Sequence, residues 1–428
     1  MPFILRFIYN IFYMIAFVIM LPSYLLKQKR RGGWGTGLME RFGWYRVPFR
    51  KEPKDVLYVH AVSVGEVMIA LKFIKSWIAE CGGEVVLATS TATGHATAKD
   101  AKLDHVRVIY SPWDLPFISG ICLDRFDPIA IALVEAELWP NFARAAEIRN
   151  IPISMINARL SYRSEKRYKS VKWLSTWFFS PLKAMGVQDK DDASRFASIG
   201  VNPDIITVTG SIKFDQPISD KKELKPDFEA IIYPLAKKKP IVLAASTHDG
   251  EEALIAEAIH QVGGFPLIVP RHAERRHDVV KELSSRGWQC ILRTSGEIPS
   301  TLKDKVCYIV DTTGELKDWT AFAQVAIIGK SFLAVGGQNP AEAVACCVPV
   351  IAGPHMENFD AFVHLLESVD GITRCSDEDL AKTLDDMLQN ELMAHAQATR
   401  ALVALKAHHG ATIRTIRMIY EMIRDTRY

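Results

Sequence analysis

Two adjacent glycines open the segment Gly336-Gly337-Gln338-Asn339-Pro340-Ala341-Glu342-Ala343 in the last third of the chain. An apolar run at 325–328 precedes this segment, and a second apolar run at 348–352 follows it. Asn339 is a favoured residue for a helix N-cap, and Pro340 suits the first helical position. The segment therefore predicts a strand, a glycine loop, a short helix and a further strand.

The same segment has two possible uses, which its residues alone do not separate. A helix that starts near Pro340 would offer free N–H groups and the positive end of its dipole to a phosphate. Glu342 would then accept hydrogen bonds from a ribose diol, so this use predicts a nucleotide site. Alternatively, the two glycines serve a tight turn and close packing only.

Length and composition bound the class of protein. A chain of 428 residues is too long for one core, so two domains are expected. Its 49% hydrophobic and 24% charged residues describe a folded chain. A net charge of +3 does not favour a nucleic acid partner, and no nucleic-acid-binding motif is found. The seven cysteines are scattered and none has CxxC spacing, which fits reduced thiols in a cytoplasmic setting.

The N-terminal stretch differs from the rest of the chain. Residues 3–26 are mostly apolar and aromatic, and a basic flank follows at Lys27, Lys29, Arg30 and Arg31. About 20 apolar residues suffice to span a bilayer, and the basic flank would stay on the cytoplasmic side. A cleaved signal peptide is disfavoured because the charge lies on the wrong side of the apolar run. We expect attachment to the inner, cytoplasmic face of a membrane, through a helix that either crosses the bilayer or lies in its interface.

A second stretch, residues 159–177, interleaves Arg and Lys with Tyr and Trp. Such a composition suits a surface that meets anionic lipid. The alternative is a solvated helix face whose apolar side lies in the core.

Apolar runs alternate with helical patterns through most of the chain. They predict strands at 56–62, 84–89, 106–110, 129–135, 152–156, 184–188 and 205–209, and then at 241–245, 266–269, 289–292, 307–310, 325–328 and 348–352. Strands that alternate with helices indicate parallel sheets. The expected fold class is α/β, with two Rossmann-like domains facing across a cleft. A dinucleotide oxidoreductase is disfavoured because no G-x-G-x-x-G follows an early strand.

The domain boundaries are predicted from changes in composition. Residues 1–31 are the anchor helix and its basic flank, 32–214 the first domain, and 241–428 the second domain with its C-terminal helices. The stretch 215–240 is rich in proline and lysine and is expected to link the two domains.

Glu66 is the first candidate for catalysis. It follows strand 56–62 and lies beside the start of a helical pattern at Val67. A carboxylate there, facing a cleft, is a suitable general base for a sugar hydroxyl. The alternative is a capping glutamate that only stabilises the first helical turn, and the spacing alone favours this second role.

Other charged residues follow predicted strands. Glu135 and Glu137 end strand 129–135 and project to the same side of an extended chain, so they suit binding of hydroxyls, an amine or a metal, or they are solvated acids. Lys213 and Arg271 each follow a strand and would meet a phosphate in a cleft. Gly314 follows strand 307–310 and lets backbone N–H groups face a base or phosphate.

Taken together, the motifs of nearly the whole chain resemble the Kdo transferase family. This family comprises membrane-associated glycosyltransferases that add 3-deoxy-D-manno-octulosonic acid (Kdo) to lipid A precursors. No single motif is specific, but the set is. The matching stretches are 41–43, 60–66, 135–141, 157–161, 210–215, 246–248, 270–272, 311–316, 336–342 and 353–359.

The resemblance implies a GT-B architecture, with a CMP-Kdo donor in the C-terminal half and a lipid A precursor in the N-terminal half. Glu66 matches the catalytic base. The residues that match the CMP-binding side are Ser211, Lys213, Arg271, Gly314, Glu315, Leu316, Asn339 and Glu342. Those assigned to the acceptor are Ser63, Gly65, Glu135, Glu137 and Arg159. With one phosphate to neutralise, no metal and no cofactor besides the donor CMP-Kdo are expected.

Two positions depart from the family pattern, which usually has His where Gln338 stands and Gly where Lys330 stands. Gln338 keeps a hydrogen-bonding group but has no imidazole, so we assign it no proton transfer. Lys330 either adds charge near the phosphate or points to solvent. The rival functions are another GT-B transferase or an epimerase that uses a UDP-sugar, and a non-catalytic lipid-binding or scaffold protein.

Overall fold

Two compact α/β units make up this computed structural model, which describes residues 3–30, 37–45, 55–135, 138–215, 224–296 and 298–427. Unit 1 comprises Met1–Asp215 and Gly410–Tyr428, and unit 2 comprises Gln216–His409. Each unit contains one sheet of seven strands, and all the strand pairs described are parallel. The α/β class predicted from the alternating pattern is confirmed.

Unit 1 begins with a long helix and then alternates strands with helices. Its strands are β1 (Val56–Ala61), β2 (Glu84–Thr89), β3 (Val106–Tyr110), β4 (Ala130–Val134), β5 (Ile153–Ala158), β6 (Leu182–Val187) and β7 (Ile206–Val208). Its helices are α1 (Phe3–Arg30), α2 (Leu38–Arg41), α3 (Val64–Cys81), α4 (Ala92–Asp100), α5 (Ile118–Phe126), α6 (Pro140–Ile148), α7 (Tyr162–Ser170), α8 (Lys172–Phe179), α9 (Lys190–Ser198) and α18 (Ala411–Arg427).

The strand order in unit 1 is β3-β2-β1-β4-β5-β6-β7. The chain fills one side of the sheet from β1 to β3 and then crosses to β4 on the other side of β1. Ligands of open parallel sheets bind outside the carboxyl ends of the strands at such a switch point. In unit 1 this point is the loop after β1 and the loop after β4.

Alternation along β1 builds a core on each face of this sheet. Leu57 and Val59 pack with the buried side chains of α3, α4 and α18. Val56 and Tyr58 point the other way and pack with those of α5, α6, α8 and α9. Strands buried on both faces are typical of parallel sheets, which explains their near-continuous apolar runs.

The last helix belongs to unit 1, although the sequence analysis assigned all of 241–428 to the second domain. Helix α18 packs against α3, β4 and β6, and Ile416, Ile419 and Met422 are buried there. Asp215 is the last residue of unit 1 before unit 2, and the chain re-enters unit 1 at Gly410. The Asp215 carboxylate accepts hydrogen bonds from the N–H groups of Gly410 at 2.7 Å and Thr412 at 2.8 Å. The hydropathy pattern identifies the apolar face of α18 but not the unit against which this face packs. The sequence therefore did not predict that α18 belongs to unit 1.

Unit 2 repeats the alternation. Its strands are β8 (Ile241–Thr247), β9 (Phe265–Pro270), β10 (Gln289–Leu292), β11 (Val306–Ile309), β12 (Val325–Ile328), β13 (Val350–Ala352) and β14 (Thr373–Arg374). Its helices are α10 (Pro226–Ala236), α11 (Glu251–Gln261), α12 (Arg276–Ser285), α13 (Leu316–Thr320), α14 (Ala341–Ala345), α15 (Asp360–Glu367), α16 (Leu380–Gln389) and α17 (Glu391–Lys406).

The strand order in unit 2 is β10-β11-β9-β8-β12-β13-β14, so its switch point lies between β8 and β12. The predicted linker 215–240 contains α10, whose Phe228 packs against the buried Trp319 with ring centroids 4.4 Å apart. Part of that stretch is therefore an element of unit 2, and residues 216–223 lie outside the described chain.

The assignment of α18 to unit 1 gives a first prediction. Replacing the fully buried Ile419 by Ala leaves a cavity and should cost unit 1 about 2–5 kcal/mol of stability. Hydrogen–deuterium exchange should then accelerate at the amides of β4 and β6, with those of β8 and β12 unchanged. The matched control is Val403→Ala on α17, which removes an exposed side chain and should change neither set. Faster exchange in unit 2 alone after Ile419→Ala would contradict the assignment.

Candidate functional site

Glu66 lies in the first turn of α3, directly after β1. Its Oε2 accepts a hydrogen bond from the Val62 N–H at 2.8 Å, and its Oε1 accepts one from the Ser63 hydroxyl at 3.0 Å. The Ser63 hydroxyl in turn accepts from the Glu66 N–H at 3.3 Å. These reciprocal bonds cap the start of α3 in a variant of the capping box, in which the backbone N–H bound by Glu66 is that of Val62, one residue before the N-cap Ser63. The capping role considered from the sequence is therefore present. The same bonds fix the direction of a half-buried carboxylate.

Glu135 follows β4, the strand beside β1. Its φ of 63° lies in the left-handed region, a strain that is often found at functional sites. Burial raises the pKa of Glu135, and the negative charge of Glu66 raises it further, whereas Arg159 and Lys213 lower it. The two carboxylates and the two cations therefore form one charged cluster at the switch point of unit 1.

The loop after β7 carries the next two predicted residues. Ser211 is buried, and its hydroxyl donates to Oδ1 of Asn157 at 3.4 Å. The same oxygen accepts from the Ile212 N–H at 2.9 Å. Asn157 itself has a φ of 55°, a conformation that Asn tolerates better than most residues. Asn157 therefore shapes the turn that presents the exposed Lys213.

Of the predicted acceptor residues, Ser63, Gly65 and Arg159 are exposed, and Glu135 lies beside Glu66. Glu137 lies outside the described residues. Ser211 and Lys213, which the resemblance assigns to the nucleotide side, belong to unit 1 together with Glu66. The other predicted nucleotide-side residues belong to unit 2.

The two glycines of the opening segment are used for close packing. The φ values are 121° for Gly336 and 68° for Gly337. A Cβ atom at Gly337 would lie 2.5 Å from Sδ of Met356 and 2.9 Å from the His355 carbonyl oxygen. The Gly336 N–H donates to the Glu357 carboxylate at 2.8 Å, and the Gly337 N–H donates to the Lys330 carbonyl at 2.8 Å. Both N–H groups thus have partners within the protein, as the packing alternative predicts.

The helix after the glycines is a single short one, α14, five residues long. It begins one residue later than predicted, and Asn339 Oδ1 accepts from the Ala341 N–H at 3.1 Å. A helix of this length provides little dipole. Exposed side chains rather than the helix end must therefore carry any contact with a ligand here.

Glu315 follows β11 and is held by three donors. Its Oε2 accepts from the Thr312 hydroxyl at 2.6 Å, the Trp319 ring N–H at 3.2 Å and the Arg293 Nε–H at 3.3 Å. Burial raises its pKa, but these three hydrogen bonds and the positive charge of Arg293 outweigh burial and lower it overall. Glu315 therefore remains a carboxylate and fixes the loop of Gly314, whose φ is 86°.

Arg271, in the loop after β9, and Glu342, in α14, interact electrostatically. The Glu342 residue is largely exposed, yet the protein around its carboxylate raises its pKa by burial. The positive charges of Lys317 and Arg271 lower the pKa of Glu342 and partly offset the effect of burial. Lys317 directly follows the Gly314–Leu316 loop. The structure thus brings Arg271, this loop and Glu342 to one edge of the sheet, with Lys317 as an additional cation.

Glu251 is the residue of this edge that the sequence did not reveal. Its fully buried carboxylate accepts from the N–H groups of His248 at 3.1 Å, Phe332 at 3.0 Å and Leu333 at 3.4 Å, and also from that of Lys330. It thereby ties the loop after β8 to the loop after β12. An acidic residue in the first turn of a helix is ordinarily a solvated one, so nothing in the pattern distinguished Glu251.

The family model "3-Deoxy-D-manno-octulosonic-acid transferase (kdotransferase)" matches residues 36–216. The 3-deoxy-D-manno-octulosonic acid transferase of Bordetella pertussis is 32% identical, over 91% of this chain and 93% of its own. That of Haemophilus influenzae is 29% identical, over 97% of this chain and 98% of its own. Among solved structures, the C-terminal CMP-Kdo binding domain of WaaA from Acinetobacter baumannii is 25% identical over 41% of this chain and 96% of that domain, with a TM-score of 0.36.

Unit 1 has paired carboxylates at the switch point of its sheet, and unit 2 has cations and a carboxylate at the switch point of its sheet. Two Rossmann-like units of this kind are the components of a two-domain glycosyltransferase. The relatives agree with this class. At the level of family, the chain belongs to the Kdo transferases.

The charged cluster of unit 1 gives a second prediction. Replacing Glu66 by Gln removes the like charge that raises the pKa of Glu135, so the pKa of Glu135 should fall. The titration is followed by NMR of glutamate side chains labelled with carbon-13, with Glu135 assigned by its own substitution. Glu80→Gln, which removes an exposed charge at the other end of α3, should leave it unchanged. An unshifted titration of Glu135 in Glu66→Gln would show that the two carboxylates do not interact.

Glu251 gives a third prediction. Glu251→Gln replaces one acceptor oxygen by a donor and leaves buried N–H groups unsatisfied, which should cost about 2 kcal/mol locally. Amides of residues 330–333 should exchange about thirtyfold faster with deuterium. Glu229→Gln, at an exposed position on α10, is the control. Wild-type exchange rates in Glu251→Gln would contradict the anchoring role.

Proposed function

We propose that this protein transfers Kdo from CMP-Kdo to a hydroxyl of a lipid A precursor at the cytoplasmic face of the inner membrane, in lipopolysaccharide biosynthesis. Membership of the Kdo transferase family supports the sugar and its class of reaction. The observation that carries the mechanism is the cluster of Glu66, Glu135, Arg159 and Lys213 at the switch point of unit 1. It supplies a base and cations at the position where ligands of such sheets bind.

Glu66 is the proposed general base. Hydrogen bonds from Val62 and Ser63 hold its carboxylate, and a carboxylate has about four lone-pair positions, so it can still accept a proton from a bound hydroxyl. Glu135 has its pKa raised by burial and by Glu66. Two neighbouring carboxyl groups with different environments can take different roles. We assign proton transfer to Glu66 and acceptor binding to Glu135.

The reaction is a direct displacement. The acceptor oxygen gives its proton to Glu66 and forms the new bond to the anomeric carbon of Kdo. The bond from that carbon to the phosphate oxygen of CMP breaks, and its electron pair stays on the phosphate. Attack from the side opposite to CMP inverts the anomeric configuration. Preorganised cations stabilise the charge that develops on the phosphate, and Arg271 and Lys213 are the residues proposed for this task.

The proposed donor residues of unit 2 fit the parts of a nucleotide. Arg271 and the adjacent Lys317 suit the phosphate, and the Glu342 carboxylate suits the ribose hydroxyls. The loop of Gly314, held by Glu315, would present backbone groups to the base. Because the N–H groups of Gly336 and Gly337 are already bonded within the protein, the phosphate is assigned to side chains and not to the glycine loop.

On the acceptor side, the exposed residues Ser63, Gly65 and Arg159 surround the two carboxylates in the proposal. The guanidinium of Arg159 would pair with an anionic group of the lipid A precursor. Glu137 keeps its proposed acceptor role from the family resemblance.

The proposed role of Glu66 as general base is tested separately from its role in capping α3. Glu66→Gln should lower kcat by at least about a hundredfold, as expected for loss of a general base, while binding of CMP stays near wild type. Ser63→Ala removes one hydrogen bond that orients Glu66 and one proposed acceptor contact but keeps the carboxylate, so it should lose about 1 kcal/mol of stability and lower kcat much less than Glu66→Gln. Turnover is measured by mass spectrometry of the product formed from CMP-Kdo and lipid A precursor.

Glu80→Gln on the same helix is the charge-matched control and should turn over normally. Normal turnover in Glu66→Gln would exclude it as the base. An equal loss of kcat in Glu66→Gln and Ser63→Ala would show that only the helix cap matters.

The donor site is tested by calorimetry. Arg271→Ala should weaken CMP binding about tenfold to a hundredfold, the size of a hydrogen-bonded charge interaction. Arg286→Ala, at the exposed C-cap of α12, should not weaken it. UDP should bind much more weakly than CMP to the wild type. Preferential binding of UDP would instead support a UDP-sugar enzyme, and normal CMP binding by Arg271→Ala would remove Arg271 from the donor site.

A further inference from the structure

Helix α1 has one narrow stripe that is in contact with unit 1. Among the described side chains of the segment 4–23, the half-buried ones recur at helical spacing, and they include Arg6, Tyr9, Asn10, Tyr13 and Phe17. The rest of the helix is exposed and mostly apolar, with Phe12 at 69% exposure and Ile19 at 71%. The stripe is therefore the more polar side of a helix whose broad opposite face is apolar and largely exposed.

A buried carboxylate anchors this stripe. Asp114 accepts hydrogen bonds from the Tyr9 hydroxyl at 2.9 Å and from the N–H groups of Asn141 at 2.9 Å and Phe142 at 2.7 Å. The Asp114 N–H donates to the Tyr13 hydroxyl at 3.2 Å. Helix α1 thus binds to the same carboxylate that caps the start of α6.

The contact continues on both sides of Asp114. The Asn141 amide donates to Oδ1 of Asn10 at 2.7 Å. The Phe17 ring packs edge-on against Trp113, with ring centroids 4.8 Å apart, and the Tyr13 ring lies edge-on to Trp139 at 6.4 Å. The contact therefore extends over two turns of α1, from Tyr9 to Phe17.

These contacts occupy the middle of the apolar segment. Among the described residues, Ile4–Ser23 is the segment long and apolar enough to cross a membrane, and its centre lies between Tyr13 and Met14. If α1 crossed a bilayer while docked, the centre of the hydrocarbon would contain Asp114 and the neighbouring polar ends of α5 and α6. Ionisable groups and irregular backbone are strongly disfavoured at that depth.

A cleft beside the contact between α1 and the rest of unit 1 is lined by cations. It has a volume of about 510 Å³ and lies between α1, α5 and α6, with the three arginines Arg6, Arg144 and Arg149 in its lining. Arg149 is paired with Asp124 at 2.6 Å, and Arg144 approaches Glu147 at 3.2 Å. Within the part of the chain that the structure describes, Arg6 has no ion-pair partner, and it is half-buried.

Apolar side chains of unit 1 lie at the same cleft. Phe117 is 87% exposed and Ile148 is 62% exposed, and both line it. Exposed aromatic and aliphatic side chains next to arginines are typical of a surface that meets the headgroup region of an anionic membrane.

We propose that α1 lies in the plane of the membrane interface, docked on unit 1 through Asp114, and that the cleft it forms with α5 and α6 receives the phosphate of an anionic phospholipid. The apolar face of α1 then enters the outer part of the acyl layer, and Arg6 reaches the headgroup phosphate. Unit 1 is held directly against the bilayer, and the chain does not cross it. This surface does not involve the residues assigned to Kdo transfer, so it can fail or hold independently of that function.

The orientation of α1 is tested with the full-length protein carrying an N-terminal epitope tag, in sealed vesicles of phosphatidylethanolamine and phosphatidylglycerol. Protease is added outside, and only molecules whose units face outward are scored. A helix in the interface leaves the tag on the same side as the units, so the tag is removed without detergent. A tag that is protected until detergent is added would show that α1 crosses the bilayer and would overturn the proposal.

The cleft is tested by sedimentation with vesicles of phosphatidylcholine with and without phosphatidylglycerol. Arg6→Gln should bind the anionic vesicles about fivefold more weakly, the effect of one cation at such a surface, with binding to pure phosphatidylcholine unchanged. Lys75→Gln removes an exposed cation from α3, on the opposite face of the sheet, and should have no effect.

Equal binding of Arg6→Gln and wild type to the anionic vesicles would refute the proposed phosphate site in the cleft. An equal loss of vesicle binding in Lys75→Gln would refute it as well. Inorganic phosphate distinguishes a lipid headgroup from a soluble anion. Millimolar phosphate at constant ionic strength should not release the protein from the vesicles, and release would show a site for free phosphate instead.

Discussion

Buried carboxylates that accept hydrogen bonds from backbone N–H groups hold the loops at the strand ends of both units. The first residues after a parallel strand have N–H groups without a partner in the sheet, and a buried N–H without a partner is costly. Glu251 satisfies four such groups in unit 2, and Asp114 satisfies two in unit 1. The positions of the ligand-type side chains depend on these anchors, because the loops themselves have little regular structure.

The hydrogen bonds of Glu66 cap a helix and would also suit the general base proposed above. Its bonds to the Val62 N–H and the Ser63 hydroxyl are those of a helix cap, yet they also fix the carboxylate in one orientation at the switch point. A general base acts best when its oxygen is already placed before the substrate arrives. The capping and catalytic interpretations of Glu66, which the sequence presented as alternatives, are therefore compatible. What distinguishes Glu66 from an ordinary cap is its proximity to Glu135, Arg159 and Lys213.

The sequence predicted the strands of both sheets well, because strands buried on two faces form apolar runs such as 84–89 and 325–328 that little else in a chain imitates. It missed β14, which has two residues, too few for any pattern. It also did not predict that α18 belongs to unit 1, because the sequence of an apolar helix face does not show which unit the face packs against.

At the candidate site, the sequence selected loops that follow strands, and the structure places those loops at the strand ends of each unit. The sequence did not indicate which hydrogen bonds the groups in these loops make. The glycines at 336 and 337 were equally consistent with packing and with a phosphate. Asn157 and Glu251 act through backbone groups far away in sequence, at Ile212 and at 330–333, and such pairings have no local signal.

Lys330 illustrates how these anchors constrain the backbone of the site. Its φ of 54° lies in the left-handed region, which glycine adopts freely and other residues adopt at a cost of about 1 kcal/mol or more. The conformation is imposed, because the Lys330 N–H donates to Glu251 and its carbonyl accepts from the Gly337 N–H. The glycine usual at this position in the family resemblance is thus explained by backbone geometry. The lysine keeps that geometry and lays its ammonium group over the glycine loop, 3.6 Å from where a Cβ of Gly336 would lie. A strained backbone conformation at Lys330 thus occurs together with a positive charge over Gly336.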